Sequence, residues 1–347
     1  MSSKIRVSMA TGVSALCMLG SGLATSALAG DFSYDETQNS DVKPWTSKEF
    51  RSDPNDFQFL IIGDRTGGEN VEGTFGIAMD QINLLQPEFV INVGDLIEGY
   101  TAERAKLNAE WDELDEMLDR LDMPFFRTPG NHDIHNVASQ EIWRERYGAT
   151  YYAFTYNDAL FLVLDSEDPP RPVPDGTFEK LDEYNRLKTE DPEAAQAIMN
   201  DLLSDESVIA GLAVPIEFQD EQIAFVKDAL EKHADVRWTT VFLHEPAWEK
   251  PSESFDEIRA LLKDRNHTFF GGHLHYYDYD LIDGVEYITM GPAGASVHQE
   301  GPGNVDHVTW VTMTDGGPQI ANIALMGLFD RKGLDPSLFG AYDRKGH

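Results

Sequence analysis

Phe57-Gln58-Phe59-Leu60-Ile61-Ile62-Gly63-Asp64-Arg65-Thr66-Gly67 reads as a buried strand that stops at a glycine and delivers a carboxylate. An apolar run of this length, closed by glycine and a polar turn, is the pattern of a strand covered on both faces. The same grammar recurs downstream. Glu88 to Val93 is followed by Gly94-Asp95-Leu96, and Pro124 to Thr128 by Gly130-Asn131-His132-Asp133. Val236 to Leu243 is followed by His244-Glu245, and Thr268 to Phe270 by Gly272-His273-Leu274-His275. If these strand ends converge on one edge of a sheet, their ligand-type side chains form one metal site.

The segments between the strands fit that picture. Val71 to Leu85 and Glu103 to Leu121 carry apolar residues at helical spacing, and alternating strands and helices argue for an α/β fold. Tyr151 to Asp165 reads as two apolar strands joined at Asn157-Asp158, a hairpin. A second antiparallel set is expected around Asp278 to Met290, Val305 to Thr314 and Gln319 to Leu325, so two packed sheets are expected in all. Residues from about 166 to 215, a Pro-rich loop and an acidic helical segment (Phe178 to Leu203), interrupt the pattern. They are either a solvated insertion or a cap over a substrate site. The amphipathic helix Gln219 to His233 resumes the core.

Lys4 and Arg6 precede an apolar stretch that ends in Ala27-Leu28-Ala29, the form of a secretory signal peptide cleaved before Gly30. The expectation is a periplasmic or secreted protein with no stable membrane association. Cys17, the single cysteine, leaves with that peptide, so core packing and bound metal must stabilise the rest. The expected order is signal peptide 1–29, exposed leader 30–54, one catalytic domain 55–328 carrying the insertion, and tail 329–347. Against 27 Lys plus Arg stand 61 Asp plus Glu, a net charge of −34, which disfavours nucleic acid as a partner. A phosphate-bearing substrate then needs a local positive centre, which bound divalent cations supply.

Each candidate ligand has a plainer reading beside it. Asp95 at a strand end is either a ligand or a turn and cap residue. His244 alone can be a satisfied polar residue, but His273 and His275 stand at i and i+2 and point the same way in extended chain. Imidazole mixed with carboxylate suits Zn, Mn, Fe and similar ions.

Taken in order, these blocks resemble the calcineurin-like metallophosphoesterase superfamily, whose strand-end motifs run D-x-H, G-D, G-N-H-D/E, H and G-H-x-H. The resemblance covers residues 57 to about 315, with four of five blocks intact. It implies a four-layer α/β/β/α sandwich of two mixed sheets, and a hydrolase of phosphate mono- or diesters using two divalent metal ions (Mn, Zn, Fe or Mg). Carried over, Asp95 would bridge both metals, Asp64 and His275 would complete one, and Asn131, His244 and His273 the other. A hydroxide held by the metals would be the nucleophile, with His132 as general acid and Asp133 orienting its imidazole.

The first block departs from the pattern. Thr66 stands where a ligand His is expected, which leaves that metal three protein ligands and a weaker hold. Glu98 is either an extra ligand or a helix cap, and His135 either a substitute ligand or a supporting or substrate-contacting residue. Arg65, beside Asp64, either grips substrate phosphate or pairs with a surface acid. The alternative to an enzyme is a catalytically weak metal-binding or scaffolding protein on the same fold.

Overall fold

The computed structural model describes residue 53 and residues 55–325, apart from 67–72, 172–173, 175, 213–214 and 297–299. The expected signal peptide, nearly all of the leader, and the tail from 329 lie outside the described residues. The first half of the chain runs β1 (Phe57–Ile62), α1 (Thr74–Leu85), β2 (Val90–Asn92), α2 (Arg104–Leu118), β3 (Phe125–Phe126), α3 (Val137–Tyr147), β4 (Tyr152–Tyr156) and β5 (Ala159–Val163). The insertion holds α4 (Thr177–Glu190), α5 (Pro192–Ser204) and α6 (Glu206–Leu212). Then come α7 (Asp220–Lys232), β6 (Trp238–Phe242), α8 (Glu253–Leu262), β7 (His267–Gly271), β8 (Asp278–Ile282), β9 (Val285–Thr289), β10 (His307–Thr314) and β11 (Gly317–Ala324).

Two mixed sheets result, in the orders β11-β10-β1-β2-β3 and β4-β5-β6-β7-β9-β8. Strand parity explains the layers. Phe57, Phe59 and Ile61 of β1 face Phe161, Val163, Phe242 and Phe270 of the second sheet in one shared core. The alternate residues Leu60 and Ile62 turn the other way, against Phe75, Met79, Trp111 and Trp143 of α1, α2 and α3. On the far sheet Leu160, Leu162 and Val241 pack against Val226, Leu230, Phe255 and Ile258 of α7 and α8. Side chains on successive strand residues point to opposite faces, so a strand apolar at every position builds two cores at once. The fold is therefore helices, sheet, sheet, helices.

Local signals act as expected in most places. Asn157 and Asp158 turn the β4–β5 hairpin with φ of 41° and 57°, a conformation that short polar side chains tolerate. The acidic segment read as one helical stretch is instead broken between α4 and α5. The Asp191 side chain accepts from Ala194 N, and Pro192 opens α5, so the chain stops one helix and starts another within two residues. The last strands also divide differently from expectation. β8 and β9 stay in the second sheet, whereas β10 returns to lie antiparallel to β1, pairing Met313 with Phe57, and β11 follows it. No helix among the described residues is long and apolar enough to cross a membrane.

Phe161 tests the sheet-to-sheet core. It is fully buried, edge-on to Phe59 and Phe89 at 5.2 Å and stacked on Phe154 at 4.8 Å. Phe161→Ala should cost about 3–5 kcal/mol in urea unfolding, through lost burial and the cavity left behind. A loss under about 1 kcal/mol would contradict this packing.

Candidate metal centre

Six parallel strands end at one place. β1, β2 and β3 deliver Asp64, Asp95 and Asn131 from the first sheet, while β5, β6 and β7 deliver Glu167, His244 and the pair His273 and His275 from the second. Carboxyl ends of parallel strands are where α/β sheets open a crevice. Glycine permits the close approach. Gly94 has φ +107°, and a Cβ there would lie 2.3 Å from His244 Nδ1. At Gly272 a Cβ would lie 2.4 Å from Asp64 Oδ1. Asp95, His273 and His275 themselves hold positive φ, of 54°, 70° and 51°, a strain that clusters at functional sites.

The ligand atoms form two groups, Asp95 with His244 and His273, and Asp64 with Asp95 and His275, each within 4.8 Å. Asp95 belongs to both. Its Oδ2 lies 3.2 Å from His244 Nε2, and Asp64 Oδ2 lies 3.2 Å from His275 Nε2. Asn131 Oδ1 sits 2.9 Å from His244 Nε2 and 2.8 Å from His273 Nδ1. The amide is oriented by its own Nδ2, which donates to Tyr100 Oη at 2.7 Å.

These residues fit a divalent cation. His244 Nδ1 lies 2.8 Å from Val93 O and His275 Nδ1 2.5 Å from Ser296 O, so in the neutral rings both protons sit on Nδ1. Each Nε2 then turns a lone pair inward, where His244 Nε2 meets Asn131 Oδ1 and Asp95 Oδ2. Asp64 Oδ1 is buried without a hydrogen-bond partner. Such converging acceptors are satisfied only by a proton or a cation. The electrostatics agree. Burial opposes charge on His244, yet Asp95, with Asp64 behind it, pushes that imidazole well above its usual range. Burial likewise opposes charge on Asp95, yet His244 and His132 hold it below the usual carboxylate range. A field that favours a proton there favours a metal ion too.

The remaining site residues expected from sequence are placed differently. Asp133 does not orient His132. Its Oδ1 accepts from Leu96 N and Ile97 N at 2.9 and 3.1 Å, and its Oδ2 from Gly130 N at 2.9 Å. It is a clamp joining the Asp95 loop to the Asn131 turn, with burial and the charge of Asp95 raising it to about 7. The His132 ring is held instead by a main-chain group, Nδ1 lying 2.6 Å from Glu98 O, while its backbone N–H donates to Asp95 Oδ1 at 2.9 Å. The Glu98 carboxylate joins neither ligand group and pairs with Lys188 of α4 at 3.4 Å.

Arg65 does not grip phosphate in this arrangement. It is buried, donating to Leu96 O at 2.9 Å and to Glu113 Oε1 of α2 at 2.5 Å, the ion pair being one of the two arrangements expected of it. Thr66 donates its hydroxyl to Ile97 O at 2.5 Å, and with Arg65 donates backbone N–H to Asp95 O. The departure in the first block is a strap on the second. His135 is a brace, Nε2 at 2.9 Å from Thr101 O and Nδ1 at 3.1 Å from His132 O, and burial lowers it to about 4.

Sequence reasoning passed over Tyr100, Glu167, Arg171 and Glu245. Glu245 Oε2 lies 3.8 Å from His273 Nε2, and its other oxygen pairs with Arg171. Glu167 is buried, accepting from Ser166 Oγ at 2.8 Å. The run Leu160 to Leu164 followed by Asp165-Ser166-Glu167 obeys the same strand-then-acid grammar and was a usable signal. Tyr100 has none, since only the turn after Asp95 brings it to Asn131.

The model of the calcineurin-like phosphoesterases matches residues 57–277. Among solved structures, a dimetal phosphatase from Danio rerio shares the fold at 16% identity and TM-score 0.52, over 78% of this chain and 99% of that one. The GAP50 anchor of the inner membrane complex of Plasmodium does so at 14% and 0.50, over 79% of this chain and 86% of that one. Purple acid phosphatase PPD1 of yellow lupin (Lupinus luteus) does so at 12% and 0.53, over 79% and 52%. No curated protein sequence matches the chain.

Two measurements check the assignments made from geometry. Asp133→Asn sets an amide N–H2 or a weaker acceptor against three backbone donors, and should lower stability by about 1–3 kcal/mol in chemical denaturation. Unchanged stability would refute the clamp. His135 bears on pH dependence. Because its folded value is lowered to about 4 from an ordinary 6.5, the unfolded chain takes up the proton first as pH falls. Its stabilising share is full above about pH 6.5 and is lost towards pH 4, by up to about 3 kcal/mol. His135→Gln should flatten the acid side of a stability-versus-pH curve, and an unchanged slope would show that His135 is not buried neutral.

Proposed function

The chain belongs to the calcineurin-like phosphoesterase family, hydrolases of phosphoric ester bonds, and from that premise we propose that it is an exported enzyme acting on phosphate mono- or diesters. Asp64, Asp95, Asn131, His244, His273 and His275 would hold two divalent cations drawn from Mn, Zn, Fe and Mg. The observation that carries the reading is Asp95, shared by two converging ligand groups whose imidazole lone pairs face inward. Export rests on the sequence pattern of residues 1–29 alone.

When bound, divalent cations neutralise ester oxygens, acidify water and stabilise the leaving oxygen. The chain's own residues do the rest. The Glu98 carbonyl fixes His132 through Nδ1, so Nε2 is the nitrogen that can carry a proton to the departing alkoxide. Its backbone N–H, bonded to Asp95 Oδ1, ties the proton donor to the acid common to both ligand groups. Asp133 keeps the two loops in register, and Tyr100 keeps the Asn131 oxygen turned towards His244 and His273.

A second reading, a metal-binding scaffold of little turnover, is favoured by one observation. The Thr66 hydroxyl is engaged by two main-chain carbonyls, so among the described residues the group containing Asp64 has three carboxylate or imidazole ligands. A protein of this fold serves as an anchor in Plasmodium.

Protein loaded in turn with Mn, Zn, Fe and Mg should hydrolyse an aryl phosphate monoester or a bis-aryl phosphate with at least one of them. His132→Ala should lower kcat roughly 100- to 10,000-fold while metal binding persists. Asp95→Asn should abolish both turnover and tight metal binding, followed by steady-state kinetics and elemental analysis. Turnover with none of the four metals would leave the scaffold reading in place of the enzyme.

A further inference from the structure

Beside the metal centre lies a small cleft open to solvent, its walls including Tyr100, Asn131, His135, Glu167, Arg171 and Phe178. Asn131 is common to the cleft and the metal centre, so the two adjoin. The far wall comes from the insertion: Phe178 is on α4, and Arg171 precedes that helix. Resting on the phosphoesterase reading, we propose that this cleft is the subsite for the organic group of the ester, and that it selects a flat, uncharged aromatic group.

Three rings make the wall. Tyr100 and Phe178 lie near parallel, at 22° with centroids 6.3 Å apart, and His135 stands 5.0 Å from Phe178. Tyr100 is also edge-on to His132 at 4.5 Å. His132 is the proton donor to the leaving oxygen, so whatever that oxygen carries emerges beside Tyr100 and meets the aromatic wall. Planar surfaces of this kind gain most from another ring, which adds offset or edge contacts to the apolar area removed from water.

The polar end of the cleft sets the charge of its guest. Arg171 is the cation among the six wall residues named, and its guanidinium is paired with Glu245 and lies in the field of Glu167. With that charge already matched, an anionic guest finds no free cation and meets the carboxyl group of Glu167. A neutral ring meets no such opposition. The insertion is then a specificity element: it supplies Phe178 as a wall and Lys188 to hold the Glu98 loop.

Phenylphosphonate and methylphosphonate carry the same metal-seeking group on a bond that the enzyme cannot hydrolyse, and differ in the ring. Calorimetric titration of the metal-loaded full chain should find the phenyl compound tighter by roughly ten-fold, the equivalent of about 1.4 kcal/mol. Phe178→Ala should bring that ratio towards one, and Phe178→Tyr should retain it. Phe178 is outside the three buried cores, so the variants should fold, which circular dichroism checks. Equal affinities in the natural protein, or a ratio that survives Phe178→Ala, would overturn the subsite, whereas binding of neither compound would count against the metal-centre reading on which it rests. None of these measurements requires turnover, so failure here is distinct from failure of the phosphoesterase reading.

Discussion

Two buried carboxylates, Asp64 and Asp95, sit side by side at the ends of adjacent strands, and the structure around them is arranged to hold that charge. Burying an uncompensated carboxylate costs several kcal/mol, so each needs donors, cations or both. Backbone N–H groups supply part: His132 N serves Asp95 and His273 N serves Asp64, at 2.9 and 2.8 Å. Imidazoles supply more, and a bound divalent cation would complete the set. Each of these contacts ties one strand-end loop to another, so the need to compensate charge is also what sets the loops in register.

The same constraint accounts for side chains that touch no metal. Asp133 spends both oxygens on three backbone donors, and Thr66 spends its hydroxyl on two carbonyls, fixing the loop that carries Asp95. Arg65 buries its charge between Leu96 O and Glu113, behind that loop. In a chain of net charge −34, a cation at the cleft must be placed deliberately, and the insertion places Arg171 there, against Glu245. Specificity and charge balance are thus met by the same segment.

Much of this was legible. The ordered strand-end blocks identified the layers, the convergence of ligands and the family, because buried strands are predominantly apolar and the ligand residues at their ends are not. Asp64, Asp95, Asn131, His244, His273 and His275 all come together where those strands end. Asp133 was given a chemical role because it neighbours His132 in sequence, yet adjacency in a turn does not decide which way a side chain faces. Arg65 illustrates the same limit: beside a ligand in sequence, it turns towards α2.

The sequence by itself determined the strands, their double-sided burial, the ligand types and their order, since these follow from local patterns of period two and from the chemistry of each side chain. Only the tertiary structure decided that β10 pairs with β1 across some two hundred and fifty residues of chain, that a main-chain carbonyl and not a carboxylate holds His132, and that Phe178 and Arg171 line the cleft beside the centre. Those outcomes depend on long-range hydrogen bonds and packing. They are settled by which groups remain unsatisfied once the chain has closed on itself, and no local pattern records that.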